Sequence, residues 1–366
     1  MNILWLSWKD KSHPRFGGAE VVNEELAKRL ARDGHRVTFI VARFPGAKVE
    51  EDRDGFKIIR VGGRYSVYWH AYRLYKKEFK NRVDLVIDEM NTVPFFTRFY
   101  VHERTIMFVH QLCREIWFYQ AFFPLNIVGY IFEPLYLWLL GGSEVITVSE
   151  STKRDLMRFG FTAERIHIIS EGIDMEPLSV LVPKNFEYPM ILTLGRCDPM
   201  KRTVDAIQAF ELIKERMPTA RMVVAGVCDG SYGEKIRHRR EISCYKESIE
   251  ITGSINYEKK LSLLRDAFVL TSTSVKEGWG LVVTEANSQG TPAVAYNVDG
   301  LRDSVRDSET GCVTDGNNPA ALAASIFHLF MDKNYYERLR DNAWQWSKQI
   351  TFDKSYQQFL NIIQYV

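Results

Sequence analysis

Glu277 and Glu285 stand in the spacing E-x7-E within KEGWGLVVTEANSQGTP, residues 276–292, with Gly278 and Gly280 between them. A carboxylate accepts two hydroxyl hydrogen bonds at once. A glycine turn lets bare backbone approach a ligand, and a helix starting near Leu281 offers unpaired N–H groups with partial positive charge. The stretch therefore suits a ligand with hydroxyls at both ends and phosphate between them. The plainer alternative leaves Glu285 supporting the helix start and Glu277 in solvent.

Two other loops follow apolar runs in the same manner. After MILTL comes Gly195-Arg196-Cys197-Asp198-Pro199-Met200-Lys201, whose Arg196 and Lys201 can both reach one anion. After NILWLSW comes KDKSHPRFGGAE, in which Gly17 and Gly18 directly precede a helix, the arrangement of an anion site. Taken singly, a glycine pair is also an ordinary tight turn, and surface cations are ordinarily solvated. The glycine loop lacks the third glycine of a dinucleotide fingerprint, which argues against NAD. Ribose, diphosphate and hexose, the parts of a nucleotide sugar, reproduce the order of hydroxyl, phosphate and hydroxyl.

These loops need strands to deliver them and helices to receive them. In the first half NILWLSW, HRVTFIVA, FKIIRV, VDLVIDE, RTIMFVHQ and EVITVS read as buried strands, and AEVVNEELAKRLARDG as a helix stopped by Gly34. In the second half YPMILTLGR, ARMVVAGV, IEITGS, AFVLTST and TPAVAYNV read as strands, and VDAIQAFELIKERM as a crossover helix. Strands alternating with helices predict an α/β class with two Rossmann-like, doubly wound parallel sheets facing across a cleft. The expected divisions are an acceptor-binding domain over 1–172, a linker over 173–189, a donor-binding domain over 190–350, and a terminal helix over 351–366 packing back on the first domain.

The 366 residues are 46% apolar and 26% charged, enough for two domains. Lys and Arg number 48 against 46 Asp and Glu, so no broad field attracts nucleic acid. Five cysteines without a CxxC pair or regular spacing argue against zinc or a disulfide framework and suit a reducing cytoplasm. MNILWLSW lacks a basic n-region and a cleavage site, so no signal peptide is expected. The run Lys235-Ile236-Arg237-His238-Arg239-Arg240 is expected on a solvated helix face.

The E-x7-E pair, with FGGAE, GRCDPMK and SEGID, resembles the family 4 (GT4) retaining glycosyltransferases of GT-B fold over nearly the whole chain. The resemblance implies that Gly17 and Gly18 contact donor phosphate and that Arg196 and Lys201 neutralise the departing diphosphate. It implies Glu277 facing the donor sugar, Glu285 holding the ribose, and the amides of Trp279, Gly280 and Leu281 completing the site. Trp279 departs from the Phe or Ile of the family and implies an altered sugar pocket. His110, ending RTIMFVH, matches the histidine that the family places beside the reacting sugar, as a polar contact rather than a proton shuttle. Ile251 and Gly253, in the strand end Ile251-Thr252-Gly253-Ser254, are expected at the base.

The implied activity is retaining transfer of a hexosyl group from UDP- or GDP-hexose to a hydroxyl of a glycan or lipid-linked acceptor. Cell-surface polysaccharide or glycolipid assembly is the expected setting. No metal or other cofactor is expected. The literal D-x-D at Asp52-Arg53-Asp54 sits in a charged run and reads as a solvated turn. The alternative is a sugar-nucleotide epimerase of the same fold; a silent binding protein and an oxidoreductase are the other classes, and the latter lacks its glycine loop. Residues 116–140, IWFYQAFFPLNIVGYIFEPLYLWLL, are aromatic and aliphatic but broken by Gln120, Pro124, Asn126, Glu133 and Pro134, unlike a membrane span. Two readings stay open there: a buried helical pair in the first domain, or a partly exposed apolar surface that meets a lipid-linked acceptor or membrane, the latter at the inner face of the plasma membrane. Lys76, Lys77, Lys80, Arg82, Arg98 and Arg104 stand ready for anionic headgroups in the second reading.

Overall fold

The apolar runs form strands because they are buried on both faces. In Met190–Leu194, Ile191 enters one core cluster while Met190 and Leu192 enter the opposite one, the alternation that a pleated strand between two helix layers requires. The structure is a computed structural model describing residues 1–365. Its order begins β1 (Asn2–Leu6), α1 (Gly18–Arg32), β2 (Arg36–Ala42), β3 (Glu50–Arg53), β4 (Phe56–Val61), α2 (Val67–Leu74), β5 (Leu85–Glu89) and β6 (Arg104–Val109). It continues α3 (Trp117–Gln120), α4 (Leu125–Leu140), β7 (Glu144–Thr147), α5 (Glu150–Arg158), β8 (Ile166–Ile168), β9 (Met190–Leu194), α6 (Thr203–Arg216), β10 (Arg221–Ala225) and α7 (Gly230–Glu241). Then come β11 (Ile249–Gly253), α8 (Tyr257–Asp266), β12 (Val269–Ser272), α9 (Leu281–Ser288), β13 (Ala293–Ala295), α10 (Leu301–Ser304), β14 (Gly311–Val313), α11 (Pro319–Met331), α12 (Lys333–Ser347) and α13 (Phe352–Tyr365).

Two units result. The first comprises Met1–Arg114, Ile127–Gly172 and Phe352–Val366; the second comprises Glu115–Asn126 and Ile173–Thr351. Residues 115–126 thus cluster with the second unit, whereas the sequence reading assigned them to the first. Gln120 Nε2, 3.1 Å from Met200 Sδ, is one of the contacts that hold them there. Residues 173–189 form no helix or strand and belong to the second unit, apart from a bridge of Ile173 to Thr351. Within the first unit, α13 lies against α1: Tyr356 Oη donates to Asp33 at 2.5 Å, and Phe359 stacks on Trp5 of β1 at 5.7 Å.

The first sheet has the order β3-β4-β2-β1-β5-β6-β7-β8 and the second β11-β10-β9-β12-β13-β14. All neighbours are parallel except β3, which pairs antiparallel with β4 at one edge. With β3 set aside, strands run outward in both directions from β1 and β5 in one sheet and from β9 and β12 in the other. Loops at such a reversal splay apart, and ligands of doubly wound sheets bind there.

Three strands escaped the sequence reading: β3 is wholly charged, and β8 and β14 are three residues each. The D-x-D stretch is not simply a turn. Asp52 and Arg53 lie in β3, Asp54 turns the chain at φ 48°, and Arg53 pairs with Glu24, Glu51 and Asp10. Among the described residues no group of acids, histidines and cysteines could hold a metal ion. The cysteine expectation is corrected as well: Cys197 and Cys228 form a disulfide across 31 residues, because the loops after β9 and β10 bring their Cα atoms to 4.6 Å. The basic run 235–240 lies on α7, with Ile236 buried and Arg239 paired with Glu211.

Candidate functional site

In the second unit the sheet reversal sets the loop after β9 beside the loop after β12. Gly195 directly follows β9, and its carbonyl would lie 2.0 Å from any Cβ at Gly226, so only glycine at 226 lets the chain after β9 and after β10 approach this closely. Beyond Gly195, Arg196 Nη2 pairs with Asp198 Oδ2 at 3.2 Å, and Lys201 Nζ pairs directly with Glu277 Oε1. Ser274 Oγ donates to the same Oε1 at 2.6 Å. The backbone at Glu277 is fixed by its N–H donating to Asp299 O at 3.1 Å.

Gly278, Trp279 and Gly280 then turn the chain into α9. Gly280 caps that helix at φ 98°, a left-handed conformation that strains other residues, and Leu281 is the first helical residue. The dipole and the first-turn amides of α9, of which Val283 N already donates to Gly280 O at 2.8 Å, make this helix start suited to an anion. The Trp279 ring is buried within the unit, its Nε1 donating to Thr284 Oγ1 at 2.9 Å and its ring 5.9 Å from Trp346. This residue therefore contributes backbone to the turn while its ring serves the core.

Glu285 sits inside α9. Its Oε1 accepts from Lys260 Nζ of α8 at 2.5 Å, while its Oε2 is buried without a partner. Burial raises its pKa above the usual glutamate value, with Lys260 opposing. One buried oxygen without a donor marks a place for a ligand hydroxyl. Ile251 and Gly253 lie in β11, two strands from β9, and Gly253 O accepts from Gly226 N at 2.9 Å.

In the first unit the corresponding reversal gathers a different set. Gly17 caps α1 and Gly18 opens it, but the Gly17 amide already donates to Glu20 Oε2 at 2.5 Å, and Lys9 Nζ stands 3.3 Å from that oxygen. The helix start thus carries its own carboxylate. His110 follows β6, buried, with Nδ1 2.8 Å from Glu171 Oε1 and Nε2 3.2 Å from Asn23 Oδ1. Its backbone carbonyl is held by Thr152 Oγ1 at 3.2 Å. Burial alone would lower its pKa, but the hydrogen bond and charge of Glu171, with Glu89 and Glu20 behind them, raise it above the ordinary histidine value.

Glu89, at the end of β5, was not singled out from sequence. It is 1% exposed and neither carboxylate oxygen has a partner. Ser7 and Asn23 stand beside it, but Ser7 Oγ donates to Lys9 O at 2.9 Å instead, and Asn23 Nδ2 makes no hydrogen bond. Burial pushes its pKa up to about 7, with His110 pulling the other way. The only sequence signal was its place at the end of VIDE; Glu171 lay within the quoted SEGID without a role. The structure brings Lys201 to Glu277, sets Glu285 against Lys260, and keeps Gly17, Gly18 and His110 in the other unit.

Residues 16–177 match the family described as Glycosyltransferase Family 4, and residues 180–346 match Glycosyl transferases group 1. The chain is 27% identical over 251 residues to a D-inositol 3-phosphate glycosyltransferase of Xylanimonas cellulosilytica, covering 61% of this chain and 59% of that protein. It spans about half the length of the first such relatives, from 47% to 59%. Among solved structures it is similar to a sucrose-phosphate synthase of Thermosynechococcus elongatus, with TM-score 0.79, 19% identity, and 99% and 98% of the two chains covered. It is also similar to Anabaena HepE, solved in complex with UDP and glucose, with TM-score 0.73, 16% identity and full coverage of both chains. At such identities the structural likeness is one of fold.

Proposed function

We propose that this chain, which belongs to the family 4 glycosyltransferases of GT-B fold, transfers a hexosyl group from a UDP- or GDP-hexose to a hydroxyl of a glycan or lipid-linked acceptor. The observation that carries this reading is the meeting of Lys201 and Glu277 at the start of α9, with Glu285 one step inside the helix. Both carboxylates lie on either side of an anion-binding turn, as a donor with sugar, diphosphate and ribose requires.

In this reading the diphosphate takes Lys201 from Glu277, and Arg196 together with the α9 amides supports the charge that grows on it as the glycosidic bond ionises. Glu277, released from its lysine, accepts from sugar hydroxyls, and the bare Oε2 of Glu285 accepts from ribose. His110 exchanges Asn23 for the sugar at Nε2 while Glu171 keeps Nδ1, and Gly17, its amide exchanging Glu20 for phosphate, acts with Gly18. Base recognition falls to Ile251 and Gly253. The acceptor hydroxyl attacks the face the diphosphate leaves, retaining configuration, and gives its proton to the departing diphosphate oxygen. No metal enters the reading, since Arg196, Lys201 and the helix dipole supply the positive charge. A cytoplasmic enzyme of polysaccharide or glycolipid assembly, in peripheral membrane contact through 116–140, is the setting that fits a lipid-linked acceptor.

The test is a thermal-shift series with UDP, GDP, ADP and NAD, followed by nucleoside diphosphate release from the matching sugar donor. A ligand that binds the native state raises Tm. A shift with UDP or GDP that is lost in Lys201→Ala, with acceptor-dependent release, is expected. A shift with NAD alone, or none, would overturn the reading. Conversion of the nucleotide sugar without any acceptor would identify an epimerase instead.

A further inference from the structure

The helix α4 carries two apolar stripes on opposite sides. One, at Glu133, Tyr136, Leu137 and Leu140, is buried in the first unit. Its single charge is satisfied, because Glu133 Oε1 and Oε2 each accept a backbone N–H, from Cys113 and Arg114, at 2.7 Å. The other stripe, at Val128, Ile131, Phe132, Leu135, Trp138 and Leu139, repeats at three- and four-residue spacing and is exposed, Ile131 at 63% and Trp138 at 68%. A water-facing helix side normally carries charge; this one carries none. Such a patch marks an interaction surface.

The charge around the stripe indicates what covers it. At the carboxyl end of α4, Arg165 Nη1 donates to Gly142 O at 2.8 Å and Arg98 Nη1 reaches Ser143 Oγ at 3.5 Å. Next to Arg98, Phe99 is exposed at 59%. Tyr100 joins this corner to α2: Tyr72 packs edge-on against its ring at 5.0 Å, and Lys76 Nζ donates to its carbonyl at 3.4 Å. From α2 and the turn after it, Trp69, Arg73 and Lys77 point into solvent. The carboxylates Glu78 and Glu144 offset Lys77 and Arg165, so the net positive charge here rests on Arg73, Arg98 and Lys76, which form no ion pair among the described residues. A second copy would offer the same cations, whereas an anionic membrane offers the opposite charge.

We propose that the outer stripe of α4, rimmed by Arg98, Arg165, Lys76 and Lys77, is a docking surface for an anionic lipid bilayer, on which the helix lies in the plane of the interface. With 16 residues α4 is about 24 Å long. Among the described residues no helix is long and apolar enough to cross a membrane. Aromatic rings and aliphatic tips enter the acyl boundary, and the arginines and lysines remain at headgroup level. This deepens the acceptor side of the transfer reading and narrows the contact within 116–140 to the part carried by the first unit.

Sedimentation with vesicles tests it, using the full chain without donor or acceptor, so that failure to dock and failure to transfer are read separately. At low salt the protein is expected to pellet with equimolar phosphatidylcholine and phosphatidylglycerol, and weakly or not at all with phosphatidylcholine alone. Raising salt is expected to release it. Ile131→Glu with Trp138→Glu should abolish pelleting, and Trp138→Ala should reduce it. Lys76→Glu with Lys77→Glu should erase the preference for phosphatidylglycerol. All these positions except the partly buried Lys76 are exposed, so an unchanged Tm in each variant is expected and separates docking from unfolding. No pelleting at low salt, pelleting indifferent to lipid charge, or pelleting unchanged in the Glu variants would overturn the proposal. So would a dimer in solution that the Glu variants dissolve while the parent protein ignores vesicles.

Discussion

At the strand reversal of the second sheet each carboxylate faces a lysine, Glu277 with Lys201 and Glu285 with Lys260. At the reversal of the first sheet, Glu89 has no partner, Glu171 shares His110, and Glu20 is offset by Lys9. The same topology thus holds carboxylates by two devices, partly buried in the second unit and fully buried at Glu89 in the first. In the second unit a lysine faces each of them, and a ligand bearing both anion and hydroxyl can exchange for each half of the Lys201–Glu277 pair. In the first unit a proton substitutes for the missing cation, because burial holds Glu89 toward its neutral form. The second device responds to pH and the first to ligand.

The largest effect should come from breaking the exchangeable pair. Glu277→Ala or Lys201→Ala is expected to reduce transfer by about 10²–10³-fold, the range for a lost charge-stabilising group. Tm should remain within a few degrees of the parent, and nucleoside diphosphate release measures the loss. Equal activity in either variant would show that the pair is structural.

The next effect tests the proton. Glu89 has a folded pKa of about 7, above its unfolded value, so what it contributes to stability is present at low pH and is lost as pH rises from the unfolded value through 7. Glu89→Gln, which cannot ionise, is therefore expected to be more stable than the parent at pH 8 by up to about 3 kcal/mol, with the difference closing below about pH 4. Denaturant unfolding at the two pH values measures it. A difference that is independent of pH would contradict a protonated Glu89.

Lys260→Met sharpens the contrast from the other side. It leaves Glu285 without its cation, and a loss of about 1–2 kcal/mol is expected in the ligand-free protein, since Glu285 keeps some solvent contact. The variant should lose less stability below the titration of Glu285 than at neutral pH, because its raised pKa lets protonation relieve the unpaired charge. The smallest effect is local. Glu171→Gln should shift the titration of His110 downward, as followed by NMR of its ring, because the carboxylate is the main cause of the rise.

The strands that were legible in sequence were those long enough to show an apolar run, such as NILWL and LVIDE. β3 was not, since EEDR forms a strand only because it pairs with β4 and because Arg53 gains carboxylates from elsewhere in the fold. The turn around Glu277 could be read because glycines and acids lie close together in the chain. Lys260 and Glu171 could not be assigned roles, because Glu285 and His110 meet them across 25 and 61 residues. Neither could the exposure of α4: a helix apolar on all sides reads alike whether both faces are covered or only one. Cys197 and Cys228 were likewise unremarkable until two strand ends brought them together.

The discontinuity of the first unit bears on how the protein is made. Trp5 of its central strand is covered by Phe359, and Ser170 N and Gly172 N donate to Gln358 and Ser355. A ribosome delivers β1 first and α13 more than three hundred residues later, after every strand of the second unit. During synthesis β1 must therefore wait with the Phe359 side of its indole uncovered, only the rings of Phe39 and Phe108 packing on it, while the second unit has all its strands, and such a surface is one that chaperones hold. Removal of residues 352–365 would leave that nascent state permanent.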